Sequence, residues 1–281
     1  MTTWRIADRT FDFGPPLAAG IVNVTDDSFF AGARSGTPER AIADGLALIE
    51  TGFDLLDVGA VAARSGPPVD ATDEAARLVP AVEGLVARAG APVLADTFSP
   101  EVASAAIEAG AAAINDIGGG EPEMLELIAE RGCGYVLMHI EGPPRVDREP
   151  RDYDDVVAHV GEWFAGRIER AAELGVDPER IALDPGLDFD LSADDDLELL
   201  RRLGELRELG RPLFVALSRK DFLGAIAAGS WERRLDAAER LPGTLAATAL
   251  AVAEGAEMLR LHDAEALDAM RTAAAITGVS G

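Results

Sequence analysis

Lysine is almost missing from this chain: its 281 residues hold one, Lys220, against 24 arginines. Cysteine is as scarce. Cys133 is alone, which excludes an internal disulfide and any CxxC redox pair. The three histidines, His139, His159 and His262, lie far apart in sequence, so no zinc cluster is expected. Aromatic residues make up only 5% of the chain, so the core should be aliphatic and tightly packed. Basic charge is outnumbered, with a formal net charge of −25. That balance excludes nucleic acid and anionic membrane as partners, since both need a basic face. No apolar run reaches the roughly 18 residues of a membrane span. The first ten residues lack the basic-then-apolar pattern of a signal peptide, and a cytoplasmic protein is the expectation. There is no GxSxG, no P-loop, and no GxGxxG after the first apolar run; the last absence counts against an open doubly wound sheet, the runner-up architecture.

What is present is a strict alternation. Short apolar runs occur at Ala19–Val24, Leu55–Val58, Val93–Ala95, Ala112–Ile114, Tyr135–Met138, Ile181–Leu183, Leu213–Leu217 and Glu257–Leu261. Helical periodicity fills Pro38–Glu50, Asp73–Ala89, Pro100–Ala109, Glu123–Glu130, Tyr153–Leu174, Asp194–Leu209, Gly243–Ala253 and Ala264–Ile276. Alternating strand and helix predicts a parallel sheet. Eight such units in a chain of this length predict an α/β fold of the closed (β/α)8 TIM barrel type, as a single domain over residues 1–281. Thr10–Pro16 is expected to cap the bottom of the barrel. Glu141–Arg151 and Ala228–Pro242 read as long loops, the second carrying Trp231, Arg233, Arg234 and Arg240.

Every predicted strand stops on a polar residue. In order these are Asn23, Asp57, Asp96, Asn115-Asp116, His139, Asp184, Ser218 with Lys220 beyond, and Arg260 with His262. The C-terminal ends of barrel strands are where active sites form. An Asp or Asn there could equally cap a helix, but capping does not call for His139, Arg260 or His262. His139 reads equally as a core histidine, and His159 reads as a helix-surface residue. Lys220, Arg260 and His262 are the cations of the ring, with Arg64 and Arg219 nearby. The mixture suits an anionic ligand that carries a heterocycle. Carboxylates and Asn read ring N–H and amino groups, while Arg and His hold phosphate oxygens. Magnesium would share phosphate oxygens with such a ligand.

Read together, these segments resemble dihydropteroate synthase, over nearly the whole chain. The motifs are Asn23-Val24-Thr25-Asp26-Asp27-Ser28-Phe29, Asp54-Leu55-Leu56-Asp57-Val58-Gly59, Asp96-Thr97, Ile114-Asn115-Asp116, Met138-His139, Asp184-Pro185-Gly186, Ser218-Arg219-Lys220 and Arg260-Leu261-His262-Asp263. Their order and spacing carry the likeness. It implies that 6-hydroxymethyl-7,8-dihydropterin pyrophosphate condenses with p-aminobenzoate, with magnesium, to give 7,8-dihydropteroate and pyrophosphate. It implies that Asp96, Asn115, Asp184 and Lys220 bind the pterin, and that Lys220, Asp96 and Arg64 are catalytic. By the same likeness Asn23, Arg64, Arg260 and His262 hold the pyrophosphate, and Asn23 meets the metal. Ser218, Arg219 and the position of Asp221 form the second-substrate end. A homodimer is also implied.

The chain departs from the family in its loops. The first mobile loop of the family reads Asn-Val-Thr-Pro-Asp-Ser-Phe-Ser-Asp-Gly; this chain has Asp26, Phe30 and Ala31 where the family has proline, serine and aspartate. The second reads Glu-Ser-Thr-Arg-Pro-Gly, against Val61-Ala62-Ala63-Arg64-Ser65-Gly66. Gly-Phe-Gly-Lys after the sixth strand is Asp188-Phe189-Asp190-Leu191. The family serine whose hydroxyl and helix N-terminus receive the p-aminobenzoate carboxylate is Asp221. An alternative therefore stands beside the synthase: a divergent pterin-binding paralogue with another second substrate or no synthase activity. A corrinoid-type pterin methyltransferase and a Schiff-base aldolase acting through Lys220 are further readings of the same barrel.

Overall fold

A computed structural model describes residues 2–7, 9–24, 35–63, 66, 69–146, 148 and 150–278. Its centre is an eight-stranded parallel sheet: β3 (Leu17–Asn23), β4 (Leu55–Gly59), β5 (Val93–Asp96), β6 (Ala113–Asp116), β7 (Gly134–Met138), β8 (Ile181–Asp184), β9 (Phe214–Ala216) and β10 (Met258–Leu261). Each strand pairs with the next, and β10 returns to β3. The one remaining seam, between β8 and β9, is bridged at Leu183 and Leu213, so the sheet closes into the expected (β/α)8 barrel. Around it lie α1 (Pro38–Thr51), α2 (Ala71–Val86), α3 (Pro100–Glu108), α4 (Pro122–Arg131), α5 (Val156–Glu173), α6 (Ala193–Arg201), α7 (Asp221–Ala228), α8 (Leu241–Ala253) and α9 (Ala264–Thr277). No helix among the described residues is long and apolar enough to cross a membrane.

The helices start where local chemistry provides a cap. Thr37, Asp70, Ser99, Asp155 and Ser192 each accept a first-turn backbone N–H through the side chain. Two elements differ from the sequence expectation. The stretch Asp194–Leu209 is not one helix: Arg202 leaves helical geometry, and Leu203–Leu209 continues as a 3-10 helix. Helix α7 is not expected from the sequence, because its eight residues are apolar or glycine after Asp221 and offer no alternation with polar positions.

The bottom of the barrel is closed by a hairpin of β1 (Thr3–Ile6) and β2 (Arg9–Asp12), longer than the expected Thr10–Pro16 cap. Trp4 and Ile6 are fully buried among Ala19, Leu55, Leu94, Ala113, Val136, Ala182, Phe214 and Met258. These are one inward-facing residue from each barrel strand. Trp4 Nε1 also donates to Arg180 O at 2.8 Å. Gly134 makes room for Ile6, whose Cγ2 would lie 2.1 Å from any Cβ added there. Trp4→Ala should therefore cost about 3–5 kcal/mol of stability. Urea unfolding would measure it, and ligand binding at the opposite end should be unchanged in the folded fraction.

Candidate active site

Strand alternation sets the site. Side chains two residues apart share a face, so the bottom layer fixes which residues line the upper interior. Counting in twos from that layer gives Asn23, Asp57, Asp96, Asn115, Met138, Asp184, Ser218, Arg260 and His262. The sequence-derived ring is therefore gathered at one mouth, with two exceptions. Asp116 and His139 fall on the outward phase. Asp116 accepts N–H bonds from Gly118 (2.7 Å) and Gly120 (3.1 Å) and the Tyr135 hydroxyl (2.6 Å), and braces the loop after β6. His139 faces α5, with its ring 5.0 Å from that of Trp163.

Arg260 is the hub of the mouth. Its Nε donates to Asp57 and its Nη2 to Asp96, the latter at 2.7 Å. Asp57 also accepts from Asn115 Nδ2 at 3.0 Å. Asp57 Oδ1 and Asn115 Oδ1 are buried with no hydrogen-bond partner. Two buried acceptors of this kind call for a ligand that brings N–H donors. Burial pushes the Asp96 carboxyl up to about 7, against the pull of Arg260 and with the help of Asp57. Burial likewise raises Asp184 to about 6, although Lys220 and the Gly186 N–H favour its carboxylate. Glu74, a buried residue of α2 that sequence reading passed over, adds to the repulsion at Asp96.

The raised Asp96 value has a consequence for stability. An acid whose folded pKa lies above its unfolded value binds its proton more tightly when folded, so stability falls as pH rises between the two values. For Asp96 the window runs from the ordinary carboxyl value of 3.8 to about 7. Asp96→Asn should gain on the wild type as pH goes from 5 to 8. The expected relative gain is on the order of 5–10 °C in melting temperature, since about two pKa units fall in that range. A constant difference across that range would contradict the assignment.

Lys220 sits at the start of α7 with Nζ donating to Leu187 O at 2.9 Å and lying 4.7 Å from the Phe189 ring centroid. Phe189 belongs with Ile117, Met138, Ile140, Ala63 and Phe98 in an apolar cluster. A flat ring entering between Asp184, Asn115 and Lys220 would meet that apolar surface. Met138 was legible from the period-two count, but a search for polar strand ends passes over it. His262 is held neutral: burial, then Arg260, Arg219 and Lys220, depress its pKa to about 3. Its backbone N–H donates to Ser218 Oγ at 3.2 Å.

Arg219 and Asp221 do not face the mouth as bare charges. Arg219 has φ +56° and makes a two-pronged pair with Asp263 (2.9 and 2.7 Å), and it also donates to Ala237 O and Ala238 O. Asp221 pairs with Arg240 (2.5 Å) and Arg234 (3.3 Å), both from the long loop after α7. The α7 N-terminus is occupied by another carboxylate, that of Asp188, which accepts the N–H groups of Asp221 and Phe222. Asp188 and Asp190 stand where the family has glycine, and both keep the left-handed backbone, φ +70° and +62°. Asp190 pairs with Arg148 at 2.5 Å. Arg64 and the segment 25–34, including Asp26, Phe30 and Ala31, lie outside the described residues.

A (β/α)8 barrel whose strand ends converge on carboxylates, two amides, one lysine and one arginine is a barrel enzyme built for a polar heterocycle. Residues 19–262 match the pterin binding enzyme family, and the chain belongs to that family, the one that contains dihydropteroate synthase. It is 36% identical over 266 residues to the dihydropteroate synthase of Synechocystis sp., covering 93% of this chain and 90% of the relative. It is 39% identical over 267 residues to "Inactive dihydropteroate synthase 2" of Mycobacterium leprae, covering 89% of this chain and 88% of that one. Among solved structures, the dihydropteroate synthase of Xanthomonas albilineans with 4-aminobenzoic acid superposes with a TM-score of 0.86 at 40% identity, covering 98% and 97% of the two chains.

Proposed function

We propose that the chain is a dihydropteroate synthase, a transferase that joins 6-hydroxymethyl-7,8-dihydropterin pyrophosphate to p-aminobenzoate. The observation that carries this is the acceptor set Asp96, Asn115 and Asp184 on the inward phase of their strands, with the lone lysine close enough to act on Asp184 and lying over Phe189 of the apolar cluster. The aminopyrimidinone edge of a pterin presents N–H donors to the acceptors and a carbonyl oxygen to Lys220 Nζ. The amine of p-aminobenzoate then forms a C–N bond to the exocyclic methylene. The C–O bond to pyrophosphate breaks, and the amine loses a proton. Arg260 uses Nε and Nη2 on Asp57 and Asp96, and Nη1 is the donor it would offer the departing oxygens. Neutral His262 adds one N–H donor, and Arg64 would add a second cation. Preorganised donors placed where negative charge develops lower the barrier.

Magnesium fits the donor chemistry of Asn23. Its half-buried amide ends β3, in register with Gly59, which is in register with Asp96. Magnesium takes few protein oxygens and shares phosphate oxygens with the substrate, neutralising their charge when bound. We further propose a cytoplasmic homodimer. The face of α8 and α9 that carries Ala249, Ala253, Ala273 and the exposed Ile276 is the apolar surface on which a second copy could pack.

The test supplies protein, magnesium and both substrates, and follows pyrophosphate and dihydropteroate together. Dihydropteroate formation is the expected result. A second reading is favoured by one feature, the Asp188 carboxylate on the α7 N-terminus. If the pterin binds by calorimetry but no dihydropteroate forms, the pocket serves a second substrate without a carboxylate, or binding alone.

A further inference from the structure

The geometry points to a second cation site in this protein, for a divalent metal of the zinc class, held by His139, Glu141 and His159. It stands apart from the pterin pocket and from Asn23, on the outer side of the barrel wall. The sequence separates the two histidines, and only the packing of α5 over the end of β7 brings them together. Each of the three residues offers one ligand atom, and these atoms lie within 4.8 Å of one another. Glu141 Oε1 is 2.5 Å from His159 Nε2 and 3.4 Å from His139 Nε2. Ligand atoms around tetrahedral zinc stand about 3.3 Å apart, given zinc–nitrogen distances of about 2.0–2.1 Å. Small side-chain rotations reach that spacing.

A hydrogen-bonded trio without metal is the plain alternative, and it serves the buried partner poorly. His139 is fully buried; its Nδ1 has no hydrogen-bond partner, and its Nε2 faces Glu141 Oε1 at 3.4 Å, the long limit of a hydrogen bond. Trp163 and Phe164 pack against its ring and fix its direction toward Glu141 and His159. Its backbone is anchored too. The N–H donates to Asp184 O at 2.8 Å, and its carbonyl lies 2.1 Å from where a Cβ at Gly186 would stand, so only glycine fits there. The other oxygen of Glu141 accepts from Arg151 Nη1 at 2.8 Å, the kind of outer contact that orients a ligating carboxylate.

Two imidazoles and one carboxylate select zinc or a similar first-row ion over magnesium or calcium, which prefer oxygen alone. His159 is partly exposed, which leaves a fourth position for water. A metal there would tie the loop after β7 to the first turns of α5, beside the Asp184-Pro185-Gly186 segment.

The experiment uses untagged, chelator-stripped protein and Zn2+ alone, titrated calorimetrically and against a chromophoric chelator, with millimolar Mg2+ present. The expected result is one ion per chain with a dissociation constant of about 10 µM or tighter. Co2+ should give the visible absorption of a four- or five-coordinate nitrogen–oxygen site. Glu141→Gln and His159→Ala should each weaken binding by about 100-fold and abolish any zinc-induced rise in melting temperature. His159 lies partly exposed on a helix, so its alanine variant should fold, and circular dichroism of the metal-free variant checks this. Zinc binding that is equal in both variants, or displaced by magnesium, overturns the assignment.

Discussion

Lys220→Ala is expected to weaken binding of the dihydropterin by about 100- to 1000-fold. Two losses combine. The charge-assisted bond from Nζ to the ring disappears, which is worth about 1.5–3 kcal/mol. Asp184 also loses the cation that favours its carboxylate, so a larger share of it is protonated in the empty pocket at neutral pH. The pH at which residual binding is half-maximal should therefore move up from about 6, the value burial gives Asp184 with the lysine present. Lys220→Arg should recover little, because a planar fork cannot replace a compact ammonium between Leu187 O and the Phe189 face. Calorimetry on the pterin alone measures this without turnover. Affinity within about threefold of the wild type would mean that the sole lysine of the chain is an accident of composition.

Asp188→Gly combined with Asp221→Ser is expected to lower KM for p-aminobenzoate by about 10- to 100-fold. Most of the effect belongs to Asp188. Its carboxylate occupies the two N–H groups at the start of α7, an anion-binding position by its donors and its dipole. A second carboxylate arriving there meets like charge, which costs several kcal/mol when desolvated. Asp221 contributes less, because Arg240 and Arg234 already neutralise it. The backbone tolerates the change, since φ at 188 is +70° and glycine adopts that region freely. Removing the cap costs about 1 kcal/mol, partly offset by relief of the left-handed aspartate, so the melting temperature should hardly move. Where turnover is too slow, the dissociation constant of p-aminobenzoate in the presence of pterin and pyrophosphate reads the same effect. No improvement in either would show that Asp188 moves aside when substrate enters.

Alternation of apolar runs with helical stretches is enough to specify a barrel, because each strand must be covered and eight βα units close on themselves. The same pattern places the chemistry. Once Leu55, Leu94, Ala113, Ala182 and Met258 are assigned to the interior, Asp57, Asp96, Asn115, Asp184 and Arg260 must point inward two residues later. That count would also have supplied Met138 and moved His139 to the outer face. The hairpin of β1 and β2 and the helix α7 were missed for local reasons. The hairpin's strands span four residues each, and the eight residues of α7 are apolar or glycine after Asp221, so neither shows a period.

What tertiary structure alone decided is which charges meet. Arg260 reaches Asp57 and Asp96 across the barrel, Arg219 reaches Asp263, and Arg240 pairs with Asp221. Asp188 caps a helix far along the chain, and His159 joins His139 from a different element. Sequence periodicity fixes the face on which a side chain lies, because that is set by backbone geometry within one element. Partners across elements depend on loop paths and helix packing, which no local pattern encodes.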